Sequence, residues 1–268
     1  MVGTVRGELS LANPESQTLI ERRIGIVARE VKDLTNDFAE PRALKFEYGP
    51  KEAYVLKNMT VWPDLGAVVD EHGRLVSESV FSPPRLNALR QTGAFRACPT
   101  QTAEGLTAAL HIGPNWNNYY HWLVDSLPRV FALHTPEVQT LGPIKLLVTE
   151  ALDQERRRLL SALLPENVML ENVPAKSRWK ARSFLLLPFL ADDCSGFLPT
   201  DYLQFFRQRV FAEYKIRPDR SRRRRILISR RFAATRRFTN QNELEQALAP
   251  FGFESCDLEK LPFAEQVQ

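Results

Sequence analysis

From residue 106 onward the chain alternates continuous apolar runs with periodic stretches of about a dozen residues, and this alternation constrains the fold most. LTAALHIG, IKLLVTE, NVMLEN and RSFLLLP read as strands; NNYYHWLVDSLPRVFALH and DQERRRLLSALL read as helices between them. Strands without polar alternation are buried on both faces, so with intervening helices they predict a parallel sheet covered on both sides. PTDYLQFFRQRVFAEY reads as an amphipathic helix opened by Pro199 and Thr200.

The charged, proline-containing stretch IRPDRSRRRR interrupts this rhythm, and a strand–loop–helix–strand pattern restarts after it in RILISR, RFAATRRF, TNQNELEQALAPFG and FESCDL. Upstream, residues 53–81 hold short β-prone runs punctuated by Pro-Asp-Leu-Gly and Asp-Glu-His-Gly, which predict a meander of hairpins. Ile24 to Val27 reads as a further strand, and residues 82–105 read as a connecting region. The expected organisation is therefore a β-hairpin-rich region over 1–105, a first α/β domain over 106–216, and the start of a second over 217–268.

A length of 268 residues suits one large domain or two modest ones. Three scattered cysteines without a CxxC pair argue against a disulfide framework or a zinc site. The N-terminus lacks the apolar run of a signal peptide, and no stretch approaches the ~18 apolar residues of a membrane span. The expectation is a cytoplasmic protein. Its net charge of +4 is concentrated locally, which suggests an anionic ligand site. The closing EKLPFAEQVQ reads as a helix that stops after about two turns, so the chain is expected to be a C-terminally truncated fragment.

Two constellations can carry chemistry. The first is NWNNYYHWLVDSLPRVF over 115–131. On a helix, His121 and Asp125 stand at i and i+4, where a carboxylate can accept the imidazole N–H, fix its tautomer and make the other nitrogen a better proton acceptor. Arg129 continues that face and is expected to pair with Asp125 or with a ligand anion. Pro128 removes a backbone hydrogen bond, so the helix should kink or restart there. Asn115, Asn117 and Asn118 offer capping and ligand hydrogen bonds. Spacing alone leaves open a buried helix in which Trp122, Tyr119 and Leu123 pack and the His–Asp pair is structural. It also leaves open a sugar cleft, since pyranose rings present apolar faces and hydroxyl edges.

The second is ILISRRFAATRRFTNQNEL. Arg230 and Arg231 stand where a strand ends, and Arg236 and Arg237 stand before a helix that Asn240 should cap, with Glu243 completing a capping-box pattern. A strand end, a helix N-terminus and arginines together suit a diphosphate. Arg222 to Arg225 read as a solvated linker face. A nucleic-acid role finds no aromatic stacking platform in the segment, so no nucleic-acid partner is expected. His72 and His111 read as structural or exposed, Asp192-Asp193 is not a D-x-D motif, and no glycine spacing matches a P-loop.

Taken with their order and spacing, NYYHWLVDSLPRV, the later ISRRFAATRRFTNQNEL and the GF…LPFAEQV segment resemble glycosyltransferase family 61. The resemblance covers roughly residues 50–268. It implies an α/β, GT-B-like fold: a β-rich N-terminal region, a Rossmann-like domain, and the beginning of a second Rossmann-like domain. It implies an inverting enzyme using a nucleotide-sugar donor, with no cofactor and no metal, and a saccharide or lipid-linked acceptor in bacterial surface or capsular polysaccharide biosynthesis. Peripheral association with the inner face of the membrane would suit such an acceptor. Position by position, Asn118, His121, Trp122, Asp125, Pro128 and Arg129 match the first block. His121 and Asp125 become the catalytic pair, and Asn118, Trp122 and Arg129 become acceptor-binding residues. Ser229, Arg230, Arg236, Arg237 and Asn240 become the donor diphosphate site, with Glu265 and Gln266 matching the last element. Gln241 departs from the acid that usually follows the asparagine. The family also continues into an H-G-A type segment that this chain stops before. A non-catalytic carbohydrate- or nucleotide-binding scaffold fragment is the alternative reading.

Overall fold

The computed structural model describes residues 7–28, 30–34, 44–81, 98–110, 118–191, 196–217, 224–233 and 237–267. The chain divides into two compact units, Met1–Asp153 with Leu163–Phe206, and Gln154–Ala162 with Arg207–Gln268.

The first unit is built on a nine-stranded mixed sheet. Its early strands are β1 (Gly7–Leu9), β2 (Ile20–Val27), β5 (Lys51–Trp62), β6 (Ala67–Val69) and β7 (Arg74–Val76), while β3 (Glu30–Leu34) and β4 (Leu44–Tyr48) form a separate antiparallel pair. Its later strands are β8 (Thr100–Ala109), β9 (Ile144–Thr149), β10 (Val168–Val173) and β11 (Arg178–Leu186). The order is β1-β7-β6-β5-β11-β8-β9-β10, with β2 also on β5. The expected hairpin meander is present, since β5, β6 and β7 pair antiparallel through the turns that the glycine-containing signals mark. The expected parallel run is present as well: β11 to β8, β8 to β9 and β9 to β10 all pair parallel. What sequence did not reveal is that β11 joins the two, running antiparallel to β5 and parallel to β8. The fold is α/β, on a mixed sheet.

One boundary moves. β8 begins at Thr100, inside the stretch expected to be a connector. Its first half pairs with β11 but stays largely open to solvent, so it carries no apolar run to announce it. The connector's remainder, residues 82–97, lies outside the described residues.

Alternation sets the core. Leu56, Met59 and Val61 of β5 face Trp179, Ala181, Phe184 and Leu186 of β11, with Leu147 and Val173 beside them. A second cluster gathers Leu190, Ala191, Leu198 and Tyr202, with Val124, Phe131, Phe205 and Phe206 packed against it. Tyr202, Phe205 and Phe206 lie on one stripe of helix α1 (Thr200–Glu213), the amphipathic helix expected from sequence.

The second unit carries a parallel pair, β12 (Arg225–Ile228) and β13 (Phe253–Cys256), joined through helix α2 (Gln241–Leu248). A short helical turn, Phe263–Gln266, follows Pro262 as expected. Arg224 and Arg225, expected on a solvated linker, instead belong to this unit: Arg224 forms an ion pair with Glu254 at 2.7 Å, and Arg225 Nη1 donates to Phe251 O at 2.5 Å. Among the described residues, no helix is long and apolar enough to cross a membrane.

Candidate active site

The first constellation is one irregular helical segment of the first unit. Asn118 opens it as an N-cap, its side-chain oxygen accepting from the backbone N–H of Tyr120 (3.0 Å) and of His121 (3.4 Å). A single α-turn, Tyr119–His121, passes into a π-turn over Trp122–Ser126 and then a 3₁₀ stretch over Leu127–His134. Pro128 explains the change. It has no N–H for the Val124 carbonyl and its ring would collide with that oxygen, so the helix widens, and Leu127 N–H bonds to Trp122 O instead. The expected break at Pro128 is thus present as a wide turn rather than a kink.

The widened turn keeps His121 and Asp125 together, with His121 Nδ1 lying 2.8 Å from Asp125 Oδ2. The Asp125 side chain is fully buried and that of His121 is 24% exposed. With an ionised carboxylate the short contact requires the proton on Nδ1, so the Nε2 lone pair is the ring's basic site. One partner is fixed and the other reaches the surface, which is the arrangement a general base needs.

The segment is pinned to the sheet at its far end. Ser126 Oγ donates to Leu110 O at 2.7 Å, just past the end of β8. Arg129 donates to Leu187 O through Nη2 (2.7 Å) and Nε (3.1 Å), just past β11, and also to Leu110 O at 3.4 Å. Its guanidinium stacks over the Phe189 ring at 4.4 Å. Burial lowers its pKa to about 9, which leaves it charged at neutral pH. The i, i+4 spacing placed Arg129 on the His121 face, and the expectation was a partner for Asp125 or a ligand anion. It is 1% exposed and engaged with strand-end carbonyls, a depth that spacing does not reveal, since spacing tells which residues share a face but not how deep the face runs.

The aromatics divide in a way the sequence did not reveal. Trp122 is fully buried and presents no ring face to a sugar. Tyr119 and Tyr120 are the exposed pair, at 41% and 52%, and the Tyr120 ring meets the His121 ring edge-on at 5.4 Å. Gly196 lies directly against the Tyr120 hydroxyl, where a Cβ would stand 2.7 Å away, and it holds a left-handed φ of 89°. Only glycine fits both conditions. Gly196→Ala is therefore expected to cost about 1–2 kcal/mol in denaturant unfolding. The part that comes from the contact should disappear in a Tyr120→Ala background, while the part that comes from the left-handed φ remains. An equal Gly196→Ala loss in both backgrounds would mean that the tyrosine simply swings aside.

The second constellation belongs to the second unit and follows β12. Ser229 is buried, donating its N–H to Cys256 O while its Oγ accepts from Arg231 N–H. Arg230 is half-buried beside it. Arg237 is exposed, its Nε donating to Ala233 O. Arg236 lies outside the described residues. The β12–α2–β13 connection puts these groups at the carboxyl end of a parallel strand and ahead of a helix, where open α/β sheets bind ligands. Two expectations are corrected. Asn240 stands at the cap position of α2, but its side chain makes no capping bond there. Its backbone (φ −116°, ψ 36°) is outside the extended conformation that aims a capping oxygen. Arg231 is taken by Glu245 at 2.6 Å. Bonds from Gln241, Ser255 and Arg231 hold the Glu245 carboxyl down to about 2. Glu265 is exposed, whereas Gln266 closes the turn before it by donating to Leu258 O and Leu261 O.

His72 sits in the Asp70–Arg74 turn, while His111, Asp192 and Asp193 lie outside the described residues. Among the described residues, no three His, Cys, Asp or Glu side chains gather as a metal site. A cavity of about 760 Å³ opens beside the first half of β11, among Asn58, Thr60, Arg178, Lys180 and Arg182, and includes no member of the His121 group.

The family model for glycosyltransferase 61 matches residues 119–268, a span that begins inside the first constellation, at Tyr119, and includes the second. No curated protein matches the chain significantly.

Proposed function

The chain belongs to glycosyltransferase family 61 and is a glycosyltransferase, and from that premise we propose that it transfers a sugar from a nucleotide-sugar donor to a saccharide or lipid-linked acceptor with inversion. The observation that carries the reading is the His121–Asp125 contact at 2.8 Å, with Asp125 buried and His121 reaching the surface. An acceptor hydroxyl is a weak nucleophile near neutral pH. His121 Nε2 takes its proton as the oxygen attacks the anomeric carbon, while Asp125 stabilises the imidazolium that forms. The bond from that carbon to the diphosphate oxygen breaks, and the nucleoside diphosphate leaves with the electron pair. Arg230 and Arg237, with Ser229 at the end of β12, take the departing charge in place of a metal ion. Asn118 keeps a role through the cap that orients the His121 turn. The architecture in this reading is GT-B-like. Surface polysaccharide biosynthesis at the inner face of the membrane is the setting that the lipid-linked acceptor suggests.

A panel of nucleotide sugars offered with oligosaccharide acceptors, followed by NMR of the product's anomeric proton, tests the proposal. Transfer with inverted configuration supports it. Retained configuration, or binding without transfer across the panel, sinks the single-displacement mechanism. Calorimetry tests the donor half separately, with Arg230→Ala expected to weaken nucleoside diphosphate binding by about 10-fold, as loss of a charge-assisted bond should. Unchanged affinity would remove Arg230 from the donor site.

A further inference from the structure

We propose that the first unit carries a binding subsite for one uncharged pyranose ring, between the start of β5 and the chain just beyond β11. A cavity of about 270 Å³ lies there, lined by Glu52, Tyr54, Glu78, Phe81, Pro188 and Phe189 among others. At ~30 Å³ per water it equals about nine waters, room for a single sugar ring and too little for a chain.

Two carboxylates supply its acceptors, and one of their oxygens lacks a donor among the described residues. Glu78 is held by one oxygen only: Oε1 accepts from Ser10 Oγ at 2.7 Å and from Leu11 N–H at 2.8 Å. Its Oε2 is buried and, among the described residues, accepts no hydrogen bond. Leaving a carboxylate oxygen desolvated and unbonded is costly, so the carboxylate gains by turning that oxygen toward a ligand hydroxyl. Glu52 Oε2 accepts from the Tyr54 hydroxyl at 2.7 Å. Burial, then the bond to Glu52, pushes the Tyr54 pKa well up, so the phenol stays a donor and Glu52 stays positioned. The apolar wall is aromatic, with Phe81 and Phe189 packed edge to face at 5.3 Å. Acceptor oxygens beside an aromatic wall suit a molecule with hydroxyls on its rim and C–H bonds on its face.

Charge narrows the occupant. Among the described residues the lining carries one cation, Lys51, against the two carboxylates, so uronates and the diphosphate of a donor are both disfavoured. Phe189 ties the cavity to the catalytic segment, since its ring also carries the Arg129 guanidinium at 4.4 Å. The ring bound here is accordingly a unit of the acceptor, a role that rests on the transferase reading; the affinity for a neutral sugar does not.

The test is direct binding. Methyl glycosides of glucose, galactose and N-acetylglucosamine, with methyl glucuronide for comparison, would be titrated into the full chain by saturation-transfer NMR and calorimetry. At least one neutral glycoside should bind, with the glucuronide at least ~10-fold weaker. Glu78→Gln, which keeps an oxygen for Ser10 and Leu11, and Glu52→Gln should each weaken the neutral sugar by about 10-fold without lowering the melting temperature. No binding by any neutral glycoside, equal binding of the glucuronide, or indifference to both substitutions would overturn the subsite. Once an active donor is found, both variants should raise the acceptor KM while leaving the donor KM alone. An unchanged acceptor KM would overturn the acceptor role. A protein that binds the sugar at Glu78 but transfers nothing would retain the subsite and refute the transferase mechanism instead.

Discussion

Replacing His121 with alanine is expected to lower transfer by ~10²-fold or more, the lower end of what loss of a general base costs, while the fold survives. The expectation follows from where the ring sits. It stands on the first turn of its segment, partly exposed, with its Nδ1 2.8 Å from Asp125 Oδ2. Its removal opens no large cavity in the core, so circular dichroism and melting should change little. The loss should fall on kcat, with the acceptor KM nearly constant, because proton transfer develops only in the transition state. Asp125→Asn should give a smaller but parallel loss, since an amide no longer selects the tautomer with Nδ1 protonated. Near-normal turnover by the alanine variant would remove His121 as the base and return the pair to a structural role.

The second large effect is on stability. Arg129→Ala is expected to cost about 3 kcal/mol or more in urea unfolding, by two additive routes. The Leu187 carbonyl loses both of its donors from Arg129, and a buried carbonyl without a partner costs ~1–3 kcal/mol. The deleted side chain also leaves a void against Phe189, a loss of the kind that large-to-small core substitutions show. Arg129→Met separates the two routes, because it fills volume but donates nothing; it should recover the cavity part only. The Leu110 carbonyl is less exposed to the change, since Ser126 also donates to it. An alanine variant within 1 kcal/mol of the parent would show that water replaces the guanidinium at little cost.

Much of this architecture was legible in the sequence for a specific reason. Strands such as IKLLVTE and RSFLLLP are buried on both faces, and a run of apolar residues records that directly. The His121–Asp125 contact was legible because four-residue spacing survives even the wide turn. Depth was not legible. Trp122 and Tyr120 are two residues apart and chemically alike, yet one is sealed and the other is more than half exposed. Asn240 shows a different limit, since residue type suggested a cap that backbone angles then ruled out. The Glu52–Glu78–Phe189 cavity was beyond reach altogether. Its walls come from three distant stretches, two of which the pairing of β5 with β11 brings together.

The pairing of β8 with β11 also makes the helical segment a cantilever. It is clamped at Ser126 and Arg129 to carbonyls just past the ends of β8 and β11, and it carries His121 on its far tip. Small slips of one strand along the other are magnified at the tip as an error in aim. The register of the β8–β11 ladder shifts between Ala181 and Ser183, upstream of both clamps, so a slip there would reach the imidazole through them.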